Sequence, residues 1–216
     1  MSFDRDQMRM VIALFVVAVV AAALVGLTDI ATREPIAAAE KQALHRALVQ
    51  VLPKHANDPQ ADLLTVDGVQ LYPGKDALGN VRGFAWEVVA PDGYSGSIRI
   101  LVGLRTDGAI HAIRVTHHLE TPGLGDGIVK NSDWLQSFVG RMLAGTKWKV
   151  KKDGGDFDQF TGATITPRAV VKAVKGALQF YNTHQASIVD AVARQNVAGE
   201  GQNKAGHEMR LETKIE

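Results

Sequence analysis

The stretch DFDQFTGATITPRAVVKAV, Asp156 to Val174, changes character part-way along. Its first part is polar and crowds Thr161, Thr164 and Thr166 around Gly162. Its second part begins a helical apolar pattern, in which Val170, Val171 and Val174 lead on to Ala177, Leu178 and Tyr181. Pro167 directly follows Thr166, and the first turn of a helix tolerates proline because its missing N–H has no partner to lose there. The pattern predicts a loop feeding a helix from about Pro167 to Thr183, capped by Thr166, with one apolar face to lay on a sheet. Such a cap contributes about 1 kcal/mol. It explains one threonine and one proline and leaves Thr161, Gly162 and Thr164 without a purpose. The same geometry favours a phosphate, since a helix start presents unpaired N–H groups and a partial positive charge. Two further hydroxyls and a glycine that lets the backbone come close would line that site. TGATIT does not fit GxxxxGK[ST], which argues against a nucleotide hydrolase.

Working back along the chain, turn signals DG, PG, GN, PDG and TDG punctuate a β-rich region up to His118. Between them lie the runs Val81–Val89, Gly96–Leu104 and Ala109–His117. Ile98, Ile100 and Val102 alternate with Arg99, Leu101 and Gly103 as in a half-buried strand, and RTDGAI makes the last two runs a hairpin. The glycine-dense loop ETPGLGDGI, Glu120 to Ile128, comes next, followed by a short helix around Asp133 to Leu143. The fold class expected is α+β: one domain with a mainly antiparallel sheet and packed helices.

The N-terminal part differs in kind. Val11 to Leu27 carries no charged side chain, and Met10 to Thr28 has about the length a helix needs to cross a bilayer. Arg5 and Arg9 precede it and Arg33 follows, a slight bias that puts the N-terminus in the cytoplasm and everything after the segment on the far side of the membrane. A cleaved signal peptide is the alternative, with AAA at 21–23 and 37–39, although the apolar run is long for one and Asp4 and Asp6 suit it poorly. A helix follows in PIAAAEKQALHRALVQVLP, continuing the first or packing just beyond it, with Leu44, Leu48, Val51 and Leu52 on one face. The expected organisation is an N-terminus at 1–9, an anchor at 10–28, a connecting helix and loop at 29–60, the domain at 61–190 and a disordered polar tail at 191–216.

Composition narrows the chemistry. With 24 Lys+Arg against 23 Asp+Glu in 216 residues, no basic excess points to nucleic acid. Cysteine is absent, which excludes iron–sulfur clusters, thiolate metal sites, thiol nucleophiles and disulfides. Any redox role therefore needs an organic cofactor. His117 and His118 do not make a metal site, because neighbours on a strand face opposite ways. Trp86, Trp134 and Trp148 read as core or surface anchors, and Lys147, Lys149, Lys151 and Lys152 as a solvated face. No G-x-S-x-G motif supports a hydrolase.

DQFTGATIT, Asp158 to Thr166, resembles the attachment motif D-x-x-[ST]-G-A-[TS]-x-[ST] of the FMN-binding domain family. GYSGSIRILVGLRTDGAIHAIRVTHHLETPGLG resembles that family's second signature, a G-Y-x-G hairpin leading into an E-T-P-G-L-G loop. The single anchor and the length resemble the G subunits of Rnf-type electron transport complexes. The resemblance implies FMN joined through its phosphate to the Thr166 hydroxyl by a separate flavin transferase, with Asp158 among what that transferase recognises. It implies flavin contacts from Thr161, Gly162, Ala163, Thr164, Glu120, Thr121, Leu124 and Gly125, and no metal. Such a protein would carry electrons within an ion-translocating ferredoxin:NAD oxidoreductase and would not be catalytic alone. Its partners would be the other membrane and peripheral subunits, the transferase and membrane lipid. The C subunit of a sodium-pumping NADH:quinone reductase shares the motif in a longer chain. A flavin-free, membrane-tethered sensory or binding module, with Thr166 only a cap, is the remaining alternative.

Overall fold

A computed structural model describes residues 5–212, with side chains as far as residue 196. The elements in order are α1 (Arg5–Val51), β1 (Leu64–Val66), β2 (Val69–Lys75), β3 (Val81–Ala90), β4 (Ile98–Arg105), β5 (Ile110–His117), α2 (Gly127–Lys130), α3 (Ser132–Gln136) and α4 (Ile165–Glu212). The chain divides into two compact units, Met1–His45 and Arg46–Glu216.

In the first unit the apolar side chains from Met8 to Ile36 stand exposed. α1 is the one helix among the described residues long and apolar enough to cross a membrane. It runs on through Pro35 rather than restarting there. The hydroxyls of Thr28 and Thr32 donate to the carbonyls of Leu24 and Thr28, each at 2.8 Å, so neither polar group is left unpaired along the helix.

The second unit is built on a five-stranded antiparallel meander in the order β1-β2-β3-β4-β5. Ile98, Ile100, Val102 and Leu104 of β4 point to the main core, where Val170, Val171, Val174 and Leu178 of α4 meet them. The opposite face is narrow because it is made of small residues in cross-strand register: Gly74 opposite Gly83, and Gly103 opposite both Ala85 and Ala112. Over that face lies the segment carrying Leu48, Val51, Leu52 and Pro53, so close that a Cβ on Gly103 would stand 1.9 Å from the Val51 carbonyl oxygen.

Three elements differ from expectation, each for a local reason. Pro73–Gly74 is not a turn but part of β2; β1 pairs only as far as Leu71, so Pro73 sits where the strand has a single neighbour and its missing N–H disturbs no ladder. α3 stops at Gln136 instead of reaching Leu143, because the chain is drawn out to pair with β5: Gly140 donates to the Ile110 carbonyl and Ile110 to that of Arg141. α4 does not end near Thr183 but runs on to Glu212. Ile188 is buried, and Gln195 donates to the Asp62 carbonyl at 2.9 Å while accepting from Lys75 at 3.1 Å. These contacts hold the helix against the domain as far as Gln195. The last four residues of the expected tail lie outside the described residues.

Candidate functional site

The polar loop before α4 is shaped by an aromatic cluster. Phe157 stacks on Phe138 and Trp148 at 4.4 and 5.1 Å between centroids, and Phe160 packs on Trp134 at 5.2 Å. Trp134 Nε1 donates to the Asp158 carbonyl at 2.8 Å, which fixes where the loop begins. All three tryptophans are core residues. Gly162 then turns the chain at φ +76°, a conformation that glycine adopts without strain. The Arg168 N–H reaches the Thr164 carbonyl, so the capping position belongs to Thr164, and Thr166 lies inside the first turn rather than at its edge. Pro167 remains free of cost there, because its N–H would still be among those without an intrahelical partner.

Within that turn Thr166 is fully buried, and its hydroxyl donates to Glu120 Oε2 at 2.6 Å. Glu120 is itself 5% exposed. Its other oxygen, Oε1, accepts the Ser95 N–H at 3.1 Å, and its own N–H goes to His118 Nδ1 at 3.2 Å. The hairpin tip between β3 and β4, the loop after β5 and the start of α4 therefore meet on one carboxylate. The rest of the loop turns back on itself: Leu124 and Gly125 both donate to the Thr121 carbonyl, and Gly123 donates to Asp126 Oδ1 at 2.8 Å. The hydrogen bond from Lys130 holds the Asp126 carboxyl below the usual carboxylate range.

Around this junction is a cleft of about 150 Å³, lined by Tyr94, Glu120, Thr121, Leu124, Gly125, Gly162, Ala163, Thr164, Ile165 and Thr166. Eight of the residues named from the sequence thus share one wall or another. Thr161 is exposed and does not line the cleft. Asp158 is surface-exposed and paired with Lys151 at 2.7 Å. Tyr94 and Ile165 were not foreseen; the GYSG signature carried the first, and the second sits between two threonines that drew attention away from it. Tyr94, Leu124 and Ile165 stand out of the cleft as an apolar rim. No lysine or arginine is among the lining residues.

Residues 93–179 match the FMN-binding domain family, and residues 6–51 match the RnfG N-terminal region. The G subunit of the ion-translocating oxidoreductase complex of Aliivibrio fischeri is 45% identical over 194 residues, covering 82% of this chain and 90% of that one. Its counterpart in Shewanella baltica is 43% identical, covering 82% and 89%. The chain belongs to this family of G subunits. A more distant likeness is to the solved structure of Shewanella oneidensis NqrC, with a TM-score of 0.45, 24% identity, and coverage of 55% of this chain and 61% of that one. Every residue lining the cleft falls within the stretch that matches the FMN-binding domain.

Proposed function

We propose that this protein is a membrane-anchored flavoprotein that holds FMN through a phosphoester on Thr166 and carries electrons within an ion-translocating ferredoxin:NAD oxidoreductase complex. The observation that carries this reading is the convergence on Thr166. A hydroxyl in the first turn of a long helix, within an FMN-binding domain, opens onto a cleft built from both signature segments.

The residues fit the group. The first N–H groups of α4 have no intrahelical partners and suit a phosphate, which is the more important because no cationic side chain lines the cleft. At about 150 Å³ the space is smaller than the roughly 300–1,000 Å³ of sites that enclose a small molecule whole. It accommodates the phosphate end and leaves the ring system outside, against the apolar rim of Tyr94, Leu124 and Ile165. The flavin supplies the electron chemistry; the protein supplies its tether, its orientation and its access to neighbours. The N-terminal helix would anchor the chain in a bacterial inner membrane, with the flavin domain on the periplasmic side, and a flavin transferase would install the cofactor.

The decisive experiment is intact mass, together with ultraviolet fluorescence of the denatured band, for the full chain coexpressed with a flavin transferase. Wild type is expected to gain the mass of one FMN less water, and Thr166→Ala to gain none. A wild-type chain that stays unmodified while the same transferase labels a control protein would end the covalent reading.

A further inference from the structure

We propose that Glu120 is the proton acceptor that prepares Thr166 for its own modification, an inference that rests on the covalent-flavin reading above. A carboxylate that is nearly fully buried carries a large desolvation penalty unless it is paired. Among the described residues no cation forms an ion pair with Glu120; its two oxygens are committed to the Ser95 N–H and the Thr166 hydroxyl. The 2.6 Å separation from Thr166 Oγ1 lies within reach for proton transfer. The arrangement is that of an activated nucleophile: hydroxyl, base, and a third group that orients the base.

The surrounding glycines keep this triad together. A Cβ on Gly125 would stand 2.5 Å from Glu120 Oε2 and 3.1 Å from Thr166 Oγ1, directly over the pair. A Cβ on Gly93 would stand 2.9 Å from Glu120 Oε1 and 2.2 Å from the Gly96 carbonyl oxygen. Both the hairpin tip and the ETPGLG loop are thus stripped of side-chain bulk where they enclose one carboxylate.

In the step itself, Thr166 Oγ1 attacks the FMN phosphorus of a flavin phosphoanhydride held by the transferase. The Oγ1–P bond forms and the anhydride P–O bond breaks. The second phosphate leaves with the electron pair of that bond, and the hydroxyl proton passes to Glu120 Oε2. Nothing is oxidised or reduced. The ester puts a negative charge where the neutral hydroxyl stood, in a cleft without lysine or arginine. A carboxyl that has taken up the proton is neutral and donates a hydrogen bond toward that charge, where an ionised one would repel it.

The test uses the full chain in detergent, purified flavin transferase and FAD as the anhydride donor, with the initial rate read as mass gain per chain. Folded fraction is matched by circular dichroism, so that a folding defect is not taken for chemistry. Glu120→Gln preserves the shape, offering its amide oxygen to Ser95 and its amide N–H to Thr166 Oγ1. It is expected to lower the rate about 100-fold, in line with the loss of a general base. Glu120→Ala should be slower still and should recover several-fold on addition of formate, which a purely structural carboxylate would not show. Labelling of Glu120→Gln at the wild-type rate, or a Glu120→Ala protein indifferent to formate, would overturn the proposal and place the base in the transferase. Failure of the wild type alone to take up flavin strikes instead at the covalent reading beneath it.

Discussion

Behind the sheet, a Cβ on Gly103 would meet the Val51 carbonyl oxygen at 1.9 Å; at the cleft, a Cβ on Gly125 would meet Glu120 Oε2 at 2.5 Å. Both glycines allow an approach that no other residue permits, yet the obstacles differ in kind. The Val51 oxygen is backbone, held in the last turn of α1 and buried against β4. The Glu120 oxygen is the far end of a side chain that rotates, with only that residue's Cβ, at 2.9 Å, tied to the backbone. At the first position an added methyl has to push two secondary-structure elements apart; at the second it displaces one carboxylate and nudges the Glu120 Cβ by a fraction of an ångström. The first closeness serves the fold and the second serves the site. Each should fail in its own way.

Gly103→Ala should therefore be strongly destabilising. Overpacking against backbone costs about 3 kcal/mol, which for a chain of this size lowers Tm by roughly 6–12 °C. Thermal denaturation of the full chain in detergent, followed by circular dichroism, measures it. A Tm within two degrees or so of wild type would show that the Val51 segment yields, and the contrast with Gly125 would be lost.

How much of this was legible beforehand follows from the range of the interactions. β3, β4 and β5 could be read because alternation and DG turns are local signals, and each observed strand lies close to its expected run. β1 has only three residues, too short to show a period, and β2 contains a Pro-Gly pair that reads as a turn unless its missing neighbour is known. The apolar face of α4 was visible in Val170, Val171, Val174 and Leu178, but its extent was not. Gln195 holds the helix through contacts with Asp62 and Lys75, 133 and 120 residues away in sequence. At the site, the motifs marked Glu120 and Thr166 separately. Their hydrogen bond joins residues 46 apart, and nothing in either motif announces it. The exchange of capping roles between Thr164 and Thr166 was equally hidden, since a proline fits any of the first helical positions.

Gly125→Ala is expected to give the complementary result. Stability should fall by about 1–2 kcal/mol, less than for Gly103→Ala, because the atoms met belong to side chains rather than to backbone. Flavin uptake at Thr166 should fall about 100-fold, the scale of effect when a reacting group is misplaced by an ångström or so. The pair of measurements, Tm and rate of mass gain, separates the two glycines along different axes. If Gly125→Ala takes up flavin at the wild-type rate, the closeness over Glu120 has no bearing on the site.

The smallest effect concerns how the polar loop before α4 is tied to that helix on its outer side. Arg168, in the first turn of that helix, donates twice to Asp153, from Nε at 2.7 Å and Nη2 at 2.9 Å. The hydrogen bond from Arg168 holds the Asp153 carboxyl below its ordinary value of 3.8. A carboxyl lowered in the folded state stabilises it fully above that ordinary value, and the contribution disappears as pH falls through the lowered one. Asp153→Asn should therefore melt slightly below wild type at neutral pH, by less than Gly125→Ala does, because both partners are solvent-exposed and screened. The two melting curves should converge as the pH drops below the carboxylate range. High salt at neutral pH should narrow the gap in the same direction. A gap that persists in acid would mean that Asp153 holds the loop by shape rather than by charge. The contrast between a fold secured by close backbone and a site secured by movable side chains would then extend to this outer contact as well.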